Sequence, residues 1–120
     1  MYDHIGLKVK DLDASARFYS AALGALGHEV GAGDETIVGI GPKGAPGLWL
    51  GGDAKLAHSL LHLAFTADSH AAVDAFYREG LKAGGRDNGK PGLRKDYSPT
   101  YYAAFLLDPD GNNVEAVCLK

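Results

Sequence analysis

The sequence predicts an α+β fold in which one unit, a strand, a helix and then two or three more strands, is built twice. The first observation is an internal repeat. A shift of 58 positions lays His4 on His62, Leu7 on Phe65, Ala14 on Ala72, Phe18-Tyr19 on Phe76-Tyr77, Leu23 on Leu81, Ala25 on Ala83 and Gly27 on Gly85, all in one register. The second is a period-two alternation at the start of each half, and the third is a run of apolar residues at three- and four-residue spacing directly after it. A chain of 120 residues suits one domain. Within it the repeat divides residues 1–52 as a first module from 60–120 as a second, with 53–59 as linker.

Taken in order, Tyr2 to Val9 alternates so that His4, Gly6 and Lys8 share one face and Ile5, Leu7 and Val9 the other. The strand from Leu60 to Thr66 repeats this, with His62, Ala64 and Thr66 opposite Leu61, Leu63 and Phe65. The apolar face of each strand is the one expected to pack on a helix. Asp11 or Asp13 should cap the first helix, and Asp68 or Ser69 the second. Leu12, Ala16, Tyr19, Leu23 and Leu26 form one buried stripe, and Val73, Phe76, Tyr77 and Leu81 the other. Gly27 and Gly84-Gly85 are the expected stops. Short strands follow at Thr36 to Ile40 and Gly47 to Leu50, then at Tyr101 to Leu107 and Asn113 to Leu119. A fainter strand near Glu29-Val30 has its match at Arg86-Asp87. Asn88 to Pro99 reads as a loop present only in the second half, and its Lys90, Arg94, Lys95, Asp96 and Tyr97 suit either substrate contact or a solvated excursion.

Composition narrows the partners. The chain is 46% hydrophobic and 22% charged, which fits a globular core and excludes disorder. Its net charge is −3 with no basic block, so neither nucleic acid nor an anionic membrane is expected as partner, and a small molecule is. The longest apolar run, Tyr101 to Leu107, is too short to span a bilayer. Asp3, Asp11 and Asp13 do not suit a signal peptide, and the lone Cys118 is compatible with a reducing compartment, so the cytoplasm is the expected location.

The chemistry concentrates at three places. His4 and His62 occupy equivalent positions on the less apolar faces of their strands. Asp108-Pro109-Asp110-Gly111 is a turn, because proline fixes φ and glycine accepts a positive one, so a hairpin should carry Glu115 into a mostly apolar strand. A carboxylate there is costly to bury unless it is paired or binds a cation. If Glu115 shares the face of the two histidines, His4, His62 and Glu115 make a facial set with open coordination positions, suited to one divalent ion such as Fe, Mn, Ni or Zn. Singly, each histidine suits a hydrogen-bonded core site better than a ligand position, and Glu115 suits an edge-strand charge; the equivalent placement in a repeat is what favours the metal. Trp49, Tyr101 and Tyr102 can line an aromatic cleft or pack in the core. Cys118 alternates away from Glu115, toward the core. His28, His58 and His70 fall near helix ends or in loops.

Asp3-His4-Ile5-Gly6-Leu7-Lys8-Val9 with Asp11-Leu12-Asp13-Ala14-Ser15 and Phe18-Tyr19, then His62-Leu63-Ala64-Phe65, then Asp108-Pro109-Asp110-Gly111-Asn112 with Glu115, resembles the vicinal oxygen chelate superfamily. That superfamily includes glyoxalase I, extradiol dioxygenases, fosfomycin resistance enzymes and bleomycin resistance proteins. The resemblance spans essentially the whole chain. It implies two βαβββ modules forming an open, cupped barrel, usually in a homodimer, with His4, His62 and Glu115 as metal ligands. It further implies a metal-dependent lyase, isomerase or dioxygenase acting on a small substrate that chelates the metal through vicinal oxygens. In that setting Glu115 is the catalytic carboxylate, and Trp49, Arg94, Tyr97, Tyr101 and Tyr102 are the candidate substrate contacts. The alternative is a non-catalytic binding or resistance protein of the same fold. Glyoxalase I-like members carry a fourth ligand at the end of the first module. Here that position falls on Leu48, or on Trp49 with one gap, and neither binds a metal.

Overall fold

A computed structural model describes residues 1–57 and 61–120. His58, the end of the expected linker and the Leu60 strand start lie outside the described residues. The first half contains β1 (Ile5–Val9), α1 (Leu12–Gly24), β2 (Glu29–Gly33), β3 (Ile37–Gly41) and β4 (Leu48–Gly52). The second contains β5 (His62–Thr66), α2 (His70–Lys82), β6 (Arg86–Leu93), β7 (Tyr102–Leu107) and β8 (Asn113–Cys118). Both halves are therefore βαβββ units, and the strand that is faint in the sequence forms in each.

Each unit makes its own four-stranded sheet, in the orders β1-β4-β3-β2 and β5-β8-β7-β6. The first strand of each lies parallel to the last, and the remaining pairs are antiparallel. The caps are Asp11 and Ser69, whose side chains accept the amide N–H of Ala14 and Ala72, each at 3.1 Å. Past the helix ends the backbone reverses at Gly27 and Gly84, where φ is +93° and +103°.

The helices cover one face of each sheet and also meet one another. A Cβ built on Gly80 of α2 would lie 3.4 Å from Phe18 and 3.5 Å from Ala22, both on α1. Phe18, Tyr19, Leu23, Val73 and Phe76 are fully buried there, against Leu7, Val9, Leu50, Leu63, Leu106, Val114, Ala116 and Cys118 from the two sheets. Burying side chains of the size of Phe18 and Phe76 stabilises the fold by roughly 1.5–3 kcal/mol each. Alternation then dictates that Gly6, Lys8, His62, Ala64 and Thr66 point away from the helices, and all five are exposed.

The expected loop Asn88 to Pro99 is shorter than the sequence suggests. β6 runs on to Leu93, paired with β7 through two register shifts at Asp87/Gly89 and Gly89/Gly92. Glycines at those shifts let one strand carry surplus residues, and this is what disguises a strand as a loop. The hairpin turn at Asp108 to Gly111 forms as expected, with Gly111 at φ +88°.

Asp108 does more than turn the chain. It is wholly buried, and its carboxylate accepts the Tyr19 hydroxyl at 2.5 Å, Asn112 Nδ2 at 2.9 Å and the amide N–H groups of Asp110 and Asn112. Asn112 Oδ1 in turn accepts the N–H of Leu61, the residue before His62. This network ties α1 of the first unit to the β7–β8 turn and to the start of β5. Burial, and then the Asp108 charge, pushes the Tyr19 phenol well above its ordinary pKa. Tyr19→Phe leaves a buried carboxylate short of one donor, so it should lower unfolding stability by about 1–3 kcal/mol in urea denaturation. A loss below about 0.5 kcal/mol would mean that the network does not hold the units together.

Candidate functional site

The second sheet's open face carries the most chemistry. Register places Ala64, Glu115 and Phe105 side by side across β5, β8 and β7. Glu115 is 2% exposed, and its two oxygens have different partners. Oε1 lies 3.1 Å from His62 Nε2, and Oε2 accepts the Tyr101 hydroxyl in a short contact. His62 Nδ1 lies 3.0 Å from the carbonyl oxygen of Asn113, and the ring is half exposed. A carbonyl can only accept, so Nδ1 carries the N–H. In a neutral ring Nε2 then presents a lone pair to a carboxylate oxygen. Two acceptors at that distance require a cation between or beside them, either a proton on Nε2 or a metal ion.

The spacing fits a metal. Two ligands at about 2.1 Å from one ion in a right-angled arrangement lie about 3 Å apart. The Asn113 carbonyl would supply the outer hydrogen bond that orients the imidazole if His62 bound a metal. Tyr101 holds the far oxygen of Glu115, and the near one faces His62. Burial, then Glu115 and Tyr97, pushes the Tyr101 phenol up to about 12.

His4 is not part of this cluster. Among the described residues no three His, Cys, Asp or Glu side chains lie close enough to hold one ion. His4 precedes β1, which belongs to the other sheet. Its Nδ1 bonds Asp3 at 2.7 Å, leaving Nε2 as the ligand-type nitrogen. It borders a cavity of about 250 Å³ with His28, Ile40 and, from the helix-facing side of β5, Leu63 and Phe65. One chain thus brings together two of the three expected ligands, His62 and Glu115 on the second sheet, while His4 stands at the start of the first.

Register also settles the position of the fourth ligand. Gly6 pairs with Trp49 across β1 and β4 as Ala64 pairs with Glu115 across β5 and β8, so Trp49 stands in the first unit where Glu115 stands in the second. Leu48 is buried in the core. The Trp49 ring lies flat over Gly39, where a Cβ would come within 2.7–2.9 Å of it. With Gly6, Lys8, Ile37 and Gly51 it lines the open face of the first sheet.

The remaining expected contacts divide by alternation. Tyr101, Tyr97 and Arg94 reach the open side: Tyr97 meets Tyr101 edge-on at 5.1 Å, and the Arg94 guanidinium sits 5.4 Å above the Phe105 ring. Phe105 itself stacks beside His62 at 6.4 Å. Tyr102 points the other way, stacking on His70 at 3.9 Å and donating to Asp74 of α2. It braces the helix and is no part of the cleft. Sequence reasoning missed Phe105, although its place two residues before Leu107 on the Glu115 face was a usable signal. It also missed Gly39 under Trp49, for which one sequence holds no signal.

The chain matches the model of the Glyoxalase/Bleomycin resistance protein/Dioxygenase superfamily over residues 2–116. Among solved structures it is 30% identical to a glyoxalase/bleomycin resistance protein from Albidiferax ferrireducens T118, covering 98% of both chains with a TM-score of 0.81. A glyoxalase/bleomycin resistance protein/dioxygenase family enzyme from Burkholderia phytofirmans PsJN is 17% identical, with 98% of both chains covered and a TM-score of 0.74. A lactoylglutathione lyase from Agrobacterium tumefaciens is 23% identical, with 98% of this chain and 92% of that one covered and a TM-score of 0.69. No curated protein matches the chain by sequence. No helix among the described residues is long and apolar enough to cross a membrane.

Two measurements probe this geometry. Gly39→Ala should displace the Trp49 ring and shift the emission of the sole tryptophan, with circular dichroism unchanged; unaltered emission would contradict the stacked placement. The Tyr101 phenol has a higher pKa folded than unfolded. Its contribution to stability is therefore complete below about pH 10 and is lost as pH rises from about 10 to about 12. Thermal midpoints from pH 9 to 12 should fall more steeply for the wild type than for Tyr101→Phe, and parallel curves would refute the assignment.

Proposed function

Because the chain belongs to the glyoxalase/bleomycin resistance/dioxygenase superfamily, we propose that it is a divalent-metal-dependent enzyme whose site is completed by a second copy. The carrying observation is the approach of His62 Nε2 to Glu115 Oε1 at 3.1 Å, a contact that either a proton or a metal ion bound to both atoms would satisfy. His62 and Glu115 of one copy, with His4 of the other, would hold Fe, Mn, Ni or Zn and leave positions open for a small substrate chelating through vicinal oxygens. A bound divalent ion supplies a Lewis acid for such oxygens. The chain's own residues do the rest. Tyr101 fixes Glu115 through its far oxygen, Asn113 fixes the His62 ring, and Trp49 of the second copy roofs the cleft and excludes water. Lyase, isomerase and dioxygenase chemistry all suit this arrangement. A glyoxalase I reaction using a fourth carboxylate does not, since Trp49 stands at that position.

The same geometry supports a dimer. Both sheets expose their non-helix faces, and β1 and β5 each end a sheet with one strand edge unpaired. Such edges and faces are normally covered. A twofold pairing that sets the first sheet of one copy against the second sheet of the other covers both at once and creates two identical sites. Trp49 in place of a carboxylate also favours a second reading, a non-catalytic protein that binds an aromatic ligand in the same cleft. Its ligand binding would survive a chelator.

The test is complementation. His4→Ala and Glu115→Gln proteins should each bind no metal in the site. Unfolded together and refolded as a mixture, they should recover about a quarter of the wild-type metal content, since half of the dimers are mixed and each of those holds one intact site of two. No recovery on mixing, or full binding by either single variant, would overturn the shared site.

A further inference from the structure

Arg94 is a cation with no counter-ion among the described residues, held on the same sheet face as His62 and Glu115. The ion pairs among the described residues are His4–Asp3, His62–Glu115, Arg78–Glu79 and Lys82–Glu79, and none includes it. Its placement is nonetheless built. Nη2 donates to the Lys90 carbonyl at 2.6 Å, and the guanidinium lies over the Phe105 ring. Its own N–H donates to the Tyr101 carbonyl at 2.7 Å, which closes the short loop bearing Tyr97. Beneath it are two glycines. A Cβ on Gly89 would meet Nη2 at 3.3 Å and one on Gly92 would meet Nη1 at 3.2 Å, so the fork lies where side chains are missing.

Its position relative to the metal ligands is fixed by the sheet. Register sets Glu115, Phe105 and Gly89 in one row across β8, β7 and β6. Two strand spacings of about 4.8 Å put Gly89, and Arg94 above it, about 10 Å from Glu115. A molecule chelated in front of Glu115 and His62 would extend across Phe105 to reach the guanidinium, over the length of roughly one planar ring with its end groups.

We propose that the substrate carries a carboxylate at the end remote from its chelating oxygens, and that Arg94 is the residue that selects it. This inference rests on the metal-chelate reading above. Only one N–H of the fork is used within the chain's side-chain contacts, and a planar guanidinium matches a planar carboxylate with two parallel hydrogen bonds. Ordering the guanidinium on Phe105 without a counter-charge among the described residues of its own chain leaves that pairing to the ligand. A single cation at this end fits one negative charge.

The test uses the full-length, Mn(II)-loaded protein and two probes that chelate alike and differ in charge: 3,4-dihydroxybenzoate and 3,4-dihydroxybenzamide. Calorimetric titration should find the benzoate bound at least about tenfold more tightly than the benzamide. In Arg94→Gln that preference should vanish with benzamide affinity unchanged, and Arg94→Lys, which keeps charge without the fork, should retain part of it. Equal affinities for the two probes in the wild type, or a preference that persists in Arg94→Gln, would overturn the carboxylate assignment and leave the chelate reading standing. Failure of both probes to bind the metal-loaded wild type would overturn the chelate reading, and this inference with it.

Discussion

Contact between α1 and α2 decides the rest of this molecule. A four-stranded sheet with one helix against it has one dry face and one wet one. Here Gly80 lets the two helices approach, and Phe18, Ala22 and Leu106 fill the space around it. With both helices spent on the middle of the molecule, the two sheets turn their other faces outward in opposite units. Those faces carry Trp49 and Lys8 on one side and His62, Glu115 and Phe105 on the other. The buried Tyr19–Asp108–Asn112 network fixes the same arrangement with polar groups and reaches the residue before His62. Stability and site geometry are therefore coupled through one set of contacts.

Within the second sheet, the arrangement of Glu115 follows from satisfying a buried carboxylate in a strand that is otherwise apolar. Tyr101 meets one oxygen, and His62 faces the other with the nitrogen that the Asn113 carbonyl has left unprotonated in the neutral ring. A buried carboxylate facing a lone pair is unfavourable on its own. A proton on the ring or a metal ion removes the conflict, and the metal is the case the proposed half-site rests on.

The fold was legible because the repeat, the alternation and the helix stripes agreed with one another. Asp11 and Ser69 were identifiable as caps, and the faces of β1 and β5 followed from alternation. β6 was read as a loop because its bulges interrupt the period-two pattern with Gly89 and Gly92. Of the site, the placement of Glu115 beside His62 followed from their strands, and Tyr101 and Arg94, expected near the cleft, lie on the same open side. Tyr102 could not be separated from its neighbour, since either one of two adjacent strand residues can face the cleft until the register is known. The separation of His4 from His62 and Glu115 was also illegible. Alternation assigns a residue to a face of its own sheet and says nothing about which other sheet that face opposes.

The central claim is that the chain supplies two half-sites that meet only between copies. The most direct measurement is a crystal structure of the Mn(II)-loaded protein with the ion located by its anomalous scattering. The account predicts manganese bonded to Nε2 of His62 and Oε1 of Glu115 in one protomer and to His4 of its partner, twice per dimer. Manganese held by all three residues of a single chain, or lying away from Glu115, would contradict it.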